Sequence, residues 1–279
     1  MSEKRVDLHC HTTASDGTFT PGELVRAARD RGLAAIGITD HDSVDALDAG
    51  MEEGSRIGVE VVPGVEISTD VEDSEVHILG YFIDHHDERL GELLSAQRQS
   101  RRERVGKMLE KLATLGVKLT FDEVLDVAGD GAVGRPHVAA ALIRAGYATS
   151  WEDAFLRYIG RRAPAYVRRS KLGPVEAVSE IRAASGVPVM AHPGLNHMDH
   201  IIPELVAAGL RGIEAIYPEH SQEQCEHYEK IARKYGLVVT AGSDCHGPRS
   251  KSGVILGRAT TDYLAVNQLR RIHQGMARA

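Results

Sequence analysis

The sequence has few cysteines and no long apolar runs. Its three cysteines, Cys10, Cys225 and Cys245, cannot all pair and show no zinc-ribbon spacing among the 279 residues. A disulfide framework is therefore excluded, and reduced thiols are expected. No apolar run approaches the roughly 18 residues of a membrane span, and the first residues do not resemble a signal peptide. We expect a cytoplasmic protein that does not associate with a membrane.

An excess of positive charge is also missing. Lys and Arg number 33 against 40 Asp and Glu, a formal net charge of −7, which argues against a general nucleic-acid coat protein. The charge is unevenly distributed, because residues 88–175 contain 16 basic and 10 acidic residues, a net +6. A basic segment thus lies within an acidic chain, and an anionic ligand would be expected to meet that segment.

Seven short apolar runs rich in Val and Ile alternate with amphipathic helical patterns. This alternation predicts a parallel sheet covered by helices. Seven strands in about 190 residues favour a distorted (β/α)7 barrel of the α/β class over an open doubly wound sheet. The predicted strands are 6–11, 34–41, 59–68, 76–83, 187–192, 212–217 and 238–246, and the predicted helices between them are 21–31, 172–184, 201–208 and 222–235.

The middle of the chain has a different pattern. Between residues 87 and 158 no strand is indicated, and apolar residues recur at helical spacing. We predict a helical substrate-binding subdomain over 87–158, inserted into a barrel formed by 1–86 and 159–279. The predicted helices of this insert are 90–115, 121–128, 136–145 and 151–158.

Six of the seven predicted strands carry groups that can bind a metal. The carboxyl ends of parallel strands open onto one face of a barrel, where such barrels place their reactive residues. Burying many titratable groups together is costly unless cations compensate them, so metal binding is the economical explanation. The groups are His9 and His11, Asp40, His41 and Asp42, Glu66, His77, His192, and Asp244 and His246.

The spacing of two residues within these groups places both side chains on the same side of a strand. His9 and His11 form one such pair, and Asp244 and His246 form another. Cys10 and Cys245 point the opposite way, so we expect both to be buried, inert thiols.

The residues resemble the polymerase-and-histidinol-phosphatase (PHP) family of phosphoesterases, and within it the nucleoside 3′,5′-bisphosphate phosphatases and short-RNA 5′ exonucleases. The resemblance covers nearly the whole chain and implies a distorted seven-stranded barrel with three divalent ions. Six motifs occur in order: Val-Asp-Leu-His-Cys-His-Thr-Thr-Ala-Ser-Asp-Gly from residue 6, Ile-Thr-Asp-His-Asp from 38, Gly-Val-Glu from 64, Val-His from 76, Ala-His-Pro-Gly from 191 and Gly-Ser-Asp-Cys-His from 242.

The resemblance implies three sets of ligands. The first ion would be bound by His9, His11, Glu66 and Asp244. Glu66 would bridge to a second ion bound by His77 and His192, and the third would be bound by Asp16, His41 and His246. Asp16 replaces a histidine found in other branches of the family, which points away from the histidinol-phosphate branch.

This set of imidazoles and carboxylates, without a thiolate, suits Mn²⁺ first, with Fe²⁺ or Zn²⁺ as alternatives. Three dications and three carboxylates leave +3, so the pocket would favour a dianionic phosphate. The hypothesis is that a hydroxide bridging two metals attacks phosphorus in line, with Glu66 and Asp244 as catalytic residues. His220, after the sixth strand, is the candidate for contacting or protonating the leaving group.

The basic insert is expected to bind the rest of the substrate. Arg101 and Arg104 lie at helical spacing, and Arg135 and His137 lie at a predicted helix start suited to an anion. The resemblance favours these four, with His220, as substrate contacts. The single tryptophan, Trp151, is expected to pack, and a solvated surface is expected for Arg161, Arg162, Arg168 and Arg169.

The leading hypothesis is a phosphatase that removes the 3′-phosphate from a nucleoside 3′,5′-bisphosphate. A 5′–3′ exonuclease acting on short 5′-phosphorylated RNA and a histidinol-phosphate phosphatase are alternatives. An amidohydrolase would be expected to have a bridging lysine, and no lysine ends a strand. A non-catalytic metal-dependent binding protein remains a different class, and nothing indicates an obligate protein partner.

Overall fold

The computed structural model describes residues 4–71, 74–129, 131–168, 172–250 and 253–276. Arg169 therefore lies outside the described residues. The strands are β1 Arg5–Cys10, β2 Ala35–Ile38, β3 Glu60–Val71, β4 Ser74–Tyr81, β5 Val187–Met190, β6 Gly212–Ile216, β7 Val238–Ala241 and β8 Thr261–Asp262. The α-helices are α1 Pro21–Asp30, α2 Leu47–Ile57, α3 Glu88–Thr114, α4 Phe121–Ala128, α5 Arg135–Arg144, α6 Trp151–Ala154, α7 Pro174–Ala183, α8 Ile202–Ala208, α9 Gln222–Tyr235 and α10 Leu264–Met276.

The eight strands form one nearly closed barrel, as the (β/α) pattern predicts. Their order is β7-β6-β5-β4-β3-β2-β1-β8. A parallel bridge between Cys10 and Cys245 connects the end of β1 to the chain that follows β7. Both cysteines are fully buried, as their position out of phase with the histidines predicts.

The prediction of a wholly parallel sheet is wrong for β4. This strand is antiparallel to both β3 and β5. Its direction is reversed because only Glu72 and Asp73 separate β3 from β4, a connection too short for the crossover that a parallel pair needs. The start of β4 therefore lies at the end of the barrel where the parallel strands finish, and His77 is close to that start.

Helices pack around the barrel and begin where the sequence provides capping groups. Thr20 and Glu23 form a capping box at α1, and Ser221 and Gln224 form one at α9. Helix α1 packs through Leu24 into a hydrophobic core that it shares with the strands of the barrel. The predictions did not include α2, α10 or the two-residue β8.

The predicted helices of the middle segment are present, with one difference. Residues Phe155–Ile159 form a π-helical turn that continues α6, where a regular helix was predicted. The segment has a hydrophobic core of its own, which includes Met108, Leu112, Val138 and Leu142. The division into a barrel over 1–86 and 159–279 and an insert over 87–158 stays a prediction. Among the described residues, none of the helices combines the length and apolarity needed to cross a bilayer.

Candidate metal centre and its cavity

The nine side chains predicted as metal ligands lie together at one end of the barrel. They come from β1, β3, β4 and the loops after β1, β2, β5 and β7. Neighbouring rings are in contact, since the centroids of His11 and His246 are 4.2 Å apart and those of His77 and His192 are 5.2 Å apart. The nine residues are His9, His11, Asp16, His41, Glu66, His77, His192, Asp244 and His246.

The first group contains His9, His11, Glu66 and Asp244, whose ligand atoms converge. Five of the distances between the Nε2 atoms of the histidines, Glu66 Oε2 and Asp244 Oδ1 lie between 2.9 and 3.4 Å. Ligands about 2.0–2.1 Å from a tetrahedral ion would be separated by about 3.4 Å. The four atoms are therefore arranged as an ion of this kind requires.

Glu66 connects this group to a second set of histidines. Its Oε1 atom lies 2.7 Å from His77 Nδ1 and 3.2 Å from His192 Nε2. Its Oε2 atom lies 2.9 Å from His41 Nδ1. The two carboxylate oxygens thus face different imidazoles, which is the arrangement that a bridging carboxylate needs.

The third group brings Asp16 together with two histidines. His246 Nε2 lies 3.2 Å from Asp16 Oδ1, and His41 Nε2 lies 3.9 Å from Asp16 Oδ2. His11 is close enough to belong to this group as well. The groups expected from the resemblance are therefore neighbours in one continuous cluster.

Several buried atoms of this cluster have no hydrogen-bond partner among the described residues. A buried polar atom without a partner is costly, so such atoms mark places where an absent group would bind. The unpartnered atoms in the cluster are Asp16 Oδ1, His41 Nδ1, Glu66 Oε2, His192 Nδ1 and Asp244 Oδ1. The donor set fits divalent cations in its chemistry as well as in its geometry.

The carboxylates of the cluster are held in their charged form. Burial would raise the pKa of Glu66, but His41, His77 and His9 outweigh burial and hold that pKa well below its usual value. The pKa values of Asp16 and Asp244 are also lowered well below the usual range, because neighbouring imidazoles outweigh burial. These carboxylates are therefore charged, and the imidazoles that face them compensate part of that charge.

The histidines differ in the balance between burial and charge. Burial dominates at His41 and lowers its pKa to about 4. At His246 burial also acts to lower the pKa, but Asp16 and Asp244 outweigh it and raise the pKa to about 10.

Glu214 on β6 supports this cluster and was not predicted from the sequence. It is fully buried. Its carboxylate accepts a hydrogen bond from His9 Nδ1 at 3.1 Å and one from the His192 backbone N–H at 2.8 Å. It orients one ligand ring and the backbone of another. The available signal was a single acidic residue inside the apolar run 212–217.

Two further buried aspartates hold the loops that carry ligands. Asp7 accepts backbone hydrogen bonds from Ser243 at 2.9 Å and from Gly257 at 2.7 Å. Asp40 accepts from the Thr12 backbone N–H at 2.7 Å, on the loop that leads to Asp16. Asp40 thus supports this loop and is not a member of the ligand groups.

A cavity of about 1160 Å³ lies beside the cluster. Asp16, Asp244 and His246 line its barrel side, and residues of the insert line the opposite side. Ligand pockets are commonly about 300–1,000 Å³, so this cavity is much larger than a phosphate group requires.

The predicted substrate contacts lie between the insert and the barrel, where they pair with acidic side chains. Arg101 donates from Nε to the buried Asp42 at 2.7 Å. Arg104 and Arg135 both donate to Glu75, at 3.0 and 2.5 Å.

Two histidines were predicted as substrate contacts. His137 is buried, lines the cavity, and accepts a hydrogen bond at Nδ1 from the Gly134 backbone N–H at 3.0 Å. His220 is not among the lining residues of the cavity. Its Nε2 accepts from the Gly194 N–H at 3.1 Å, and its Nδ1 donates to the Ala215 carbonyl at 2.9 Å.

The prediction of His220 as a proton donor is not supported by this arrangement, because both ring nitrogens are used in internal hydrogen bonds. Tyr217 lies beside the cluster and was not singled out from the sequence. Its hydroxyl donates to Asp244 Oδ2 at 3.0 Å, and its ring lines the cavity.

Comparisons with known proteins identify relatives of this chain. A family model of the PHP domain matches residues 7–135. A 5′-3′ exoribonuclease of Haemophilus influenzae is 32% identical over 88% of this chain and 91% of its own length. A 3′,5′-nucleoside bisphosphate phosphatase of Chromobacterium violaceum is 32% identical over 87% of both chains. A crystal structure of a proposed metal-dependent phosphoesterase from Bifidobacterium adolescentis superposes with a TM-score of 0.88, at 33% identity, over 95% of this chain and 94% of that one.

Proposed function

Because the chain belongs to the PHP domain family, we propose that it is a metal-dependent phosphoesterase acting on a small nucleotide. The preferred reaction is removal of the 3′-phosphate from a nucleoside 3′,5′-bisphosphate. The observation that carries this proposal is a cluster of eight imidazole and carboxylate groups, joined by His192 through Glu66, beside a cavity large enough for a nucleotide. The relative from Chromobacterium violaceum, which is named for this activity, supports the choice of substrate.

The residues that would bind the ions divide into three sets. We assign the first set to His9, His11, Glu66 and Asp244, the second to Glu66, His77 and His192, and the third to Asp16, His41 and His246. Mn²⁺ is the preferred ion, and Fe²⁺ or Zn²⁺ would also suit these donors. Bound divalent ions neutralise charge on phosphoryl oxygens and lower the pKa of water.

The protein's own groups orient the reaction. Glu66 faces ligands of all three sets through its two oxygens, so it keeps those sets at a fixed separation. Tyr217 fixes the Asp244 carboxylate through its hydroxyl. Glu214 fixes the His9 ring. The catalytic groups are therefore arranged before substrate binds, which lowers the cost of reorganisation during the reaction.

The insert would bind the second phosphate of the substrate. Arg104 and Arg135 share the carboxylate of Glu75, so two guanidinium charges face one carboxylate charge. Arg101 lies on the same helix as Arg104, and its pairing with Asp42 keeps that helix close to the barrel. His137 faces the cavity from the start of α5.

The test is incubation of the Mn²⁺-loaded protein with adenosine 3′,5′-bisphosphate, with measurement of free phosphate and identification of the nucleoside product. We expect phosphate and adenosine 5′-monophosphate in equal amounts. The Glu66→Ala and His192→Ala variants should remain folded and lose turnover. Undiminished phosphate release by either variant would contradict the assignment of the centre.

A second candidate is 5′–3′ exonuclease activity on short 5′-phosphorylated RNA, which the relative from Haemophilus influenzae is named for. A second hollow of about 790 Å³ shares Trp151 and Phe155 with the main cavity and is lined by Arg161 and Arg162. A substrate longer than one nucleotide would have room there. Release of mononucleotides from a short 5′-phosphorylated RNA would support this activity.

A further inference from the structure

Trp151 and Phe155 form an aromatic pair on the insert side of the cavity. They are four residues apart, so their side chains lie on the same side of the α6 segment. Both rings border the main cavity that also contains Asp16, Asp244 and His246. The insert side of the cavity therefore includes two aromatic side chains.

Packing explains only part of the position of this pair. Both residues pack at the margin of the insert core, but neither is fully buried. The π-helical turn begins at Phe155 itself, and such turns are frequent at functional sites. The two rings therefore stabilise the insert with one part of their surface and leave another part facing the cavity.

The surroundings of the pair suit a nucleotide. The Arg135 guanidinium lies over the Phe155 ring, with Cζ 5.7 Å from the ring centroid. Arg135 is also one of the two cations on Glu75. Arg135 does not itself line the cavity, so its charge acts on this wall through the Phe155 ring. A flat apolar ring placed on this wall would share the cavity with the proposed metal centre, as a nucleobase attached to a phosphorylated ribose requires.

We propose that Trp151 and Phe155 form a stacking platform for the nucleobase and that they select nucleotides over sugar phosphates. This inference rests on the proposed function and names the residues that determine its substrate class. Stacking on an aromatic side chain depends on the π face that all nucleobases have, so the platform would tolerate different bases. The loss of stacking should weaken binding about tenfold.

The single tryptophan of the chain makes a direct test of this platform. Adenosine 5′-monophosphate and ribose 5-phosphate differ by the base, and they are titrated separately into the Mn²⁺-loaded protein while tryptophan fluorescence is recorded. We expect adenosine 5′-monophosphate to quench the fluorescence and to bind about tenfold more tightly than ribose 5-phosphate. The affinities of both ligands are measured by isothermal titration calorimetry, which does not depend on phosphate release.

Substitutions at Phe155 keep Trp151 as the fluorescent reporter and test the second ring of the platform. Phe155→Leu should weaken binding of adenosine 5′-monophosphate about tenfold and leave ribose 5-phosphate unchanged. Phe155→Tyr retains an aromatic ring and should bind like the wild type. The matched control is Leu156→Ala, because Leu156 is the next residue, is 78% exposed and does not line the main cavity. Thermal unfolding of each variant separates loss of the platform from loss of the fold.

Two results would overturn the platform. One is equal affinity for the two ligands, and the other is binding of adenosine 5′-monophosphate without any change in tryptophan fluorescence. Absence of phosphate release from adenosine 3′,5′-bisphosphate, together with selective quenching by the nucleotide, would refute the proposed function and leave the platform standing. The two proposals can therefore fail separately.

Discussion

At the scale of single residues, two of the proposed ligands have unusual backbone conformations. His192 has φ of 23° and Asp244 has φ of 53°. Positive φ is costly for residues other than glycine, so it persists only where the surroundings fix it. The bond from His192 N–H to Glu214 and that from Ser243 N–H to Asp7 supply this constraint. Buried acidic groups hence determine where these two ligands point.

The first prediction concerns Glu214. Replacing Glu214 by Gln keeps the size of the side chain but removes the charge that orients His9 and the His192 backbone. Loss of such a supporting partner typically costs about 10–100-fold in metal affinity. We expect Glu214→Gln to need about 10–100-fold more Mn²⁺ for half-maximal activity and to recover kcat at saturating metal.

The control for this prediction is Glu226→Gln, because Glu226 is exposed on α9 and bonds only to Gln222 among the described residues. The measurement is phosphate release as a function of Mn²⁺ concentration. An unchanged metal requirement in Glu214→Gln would show that Glu214 does not position the ligands.

The sequence was informative about the ligands and much less so about their support. His9 and His11 could be placed from the period of two residues in a strand. Glu214 was missed because an isolated acidic residue in an apolar run gives no indication of its partners, which lie on β1 and after β5. Its role depends on contacts distant in sequence, and periodicity does not report such contacts.

At the scale of secondary-structure elements, the insert and the barrel meet beside the third ligand group. The backbone N–H of Ala132 donates to the Ala14 carbonyl at 3.2 Å. A Cβ atom on Gly131 would lie 2.2 Å from the Ser15 carbonyl oxygen. The loop before α5 therefore packs backbone against backbone on the loop that carries Asp16, and only glycine fits at that point.

The second prediction follows from this contact. Gly131→Ala should push the two loops apart and displace Asp16, and overpacking of this kind typically costs about 1–3 kcal/mol. We expect a lower unfolding temperature and a fall in kcat, measured by thermal unfolding and by phosphate release. Gly106→Ala is the matched control, because nothing lies within 4 Å of a Cβ atom there.

The control should raise the unfolding temperature, whereas Gly131→Ala should lower it. Gly106 lies inside α3, and alanine in a helix interior is more stable than glycine by about 0.5–1 kcal/mol. Gly106→Ala should thus unfold at a slightly higher temperature with unchanged kcat. If Gly131→Ala behaved like this control, the contact between the loops would have no part in activity.

At the scale of the whole molecule, alternation of apolar strands and helices was enough to predict the barrel, and helical periodicity was enough to predict the helices that follow β4. The reversal of β4 could not be predicted from hydrophobicity, since a buried strand has the same pattern in either direction. His77 illustrates this. A ligand in the first half of a strand would lie away from the site in a parallel barrel, but the reversed direction of β4 brings it to the same end as the other ligands.

The last prediction concerns the metal content and its effect on stability. An ion that binds only the folded chain stabilises it by about 2.7 kcal/mol at a concentration 100 times its Kd. We expect chelation to lower the unfolding temperature of the wild type and added Mn²⁺ to restore it.

Two variants separate the three proposed ions. Asp16→Ala removes a ligand from the third set alone, whereas Glu66→Ala removes the carboxylate that we assign to both of the first two sets and that also faces His41 of the third set. Metal analysis after desalting in trace Mn²⁺ should find three ions in the wild type, two in Asp16→Ala and one in Glu66→Ala. The stabilisation by Mn²⁺ should fall in the same order, because each lost ion removes its own contribution from the folded state. Equal metal content in the two variants would contradict a bridging position for Glu66, since that carboxylate would then serve no more ions than Asp16 does.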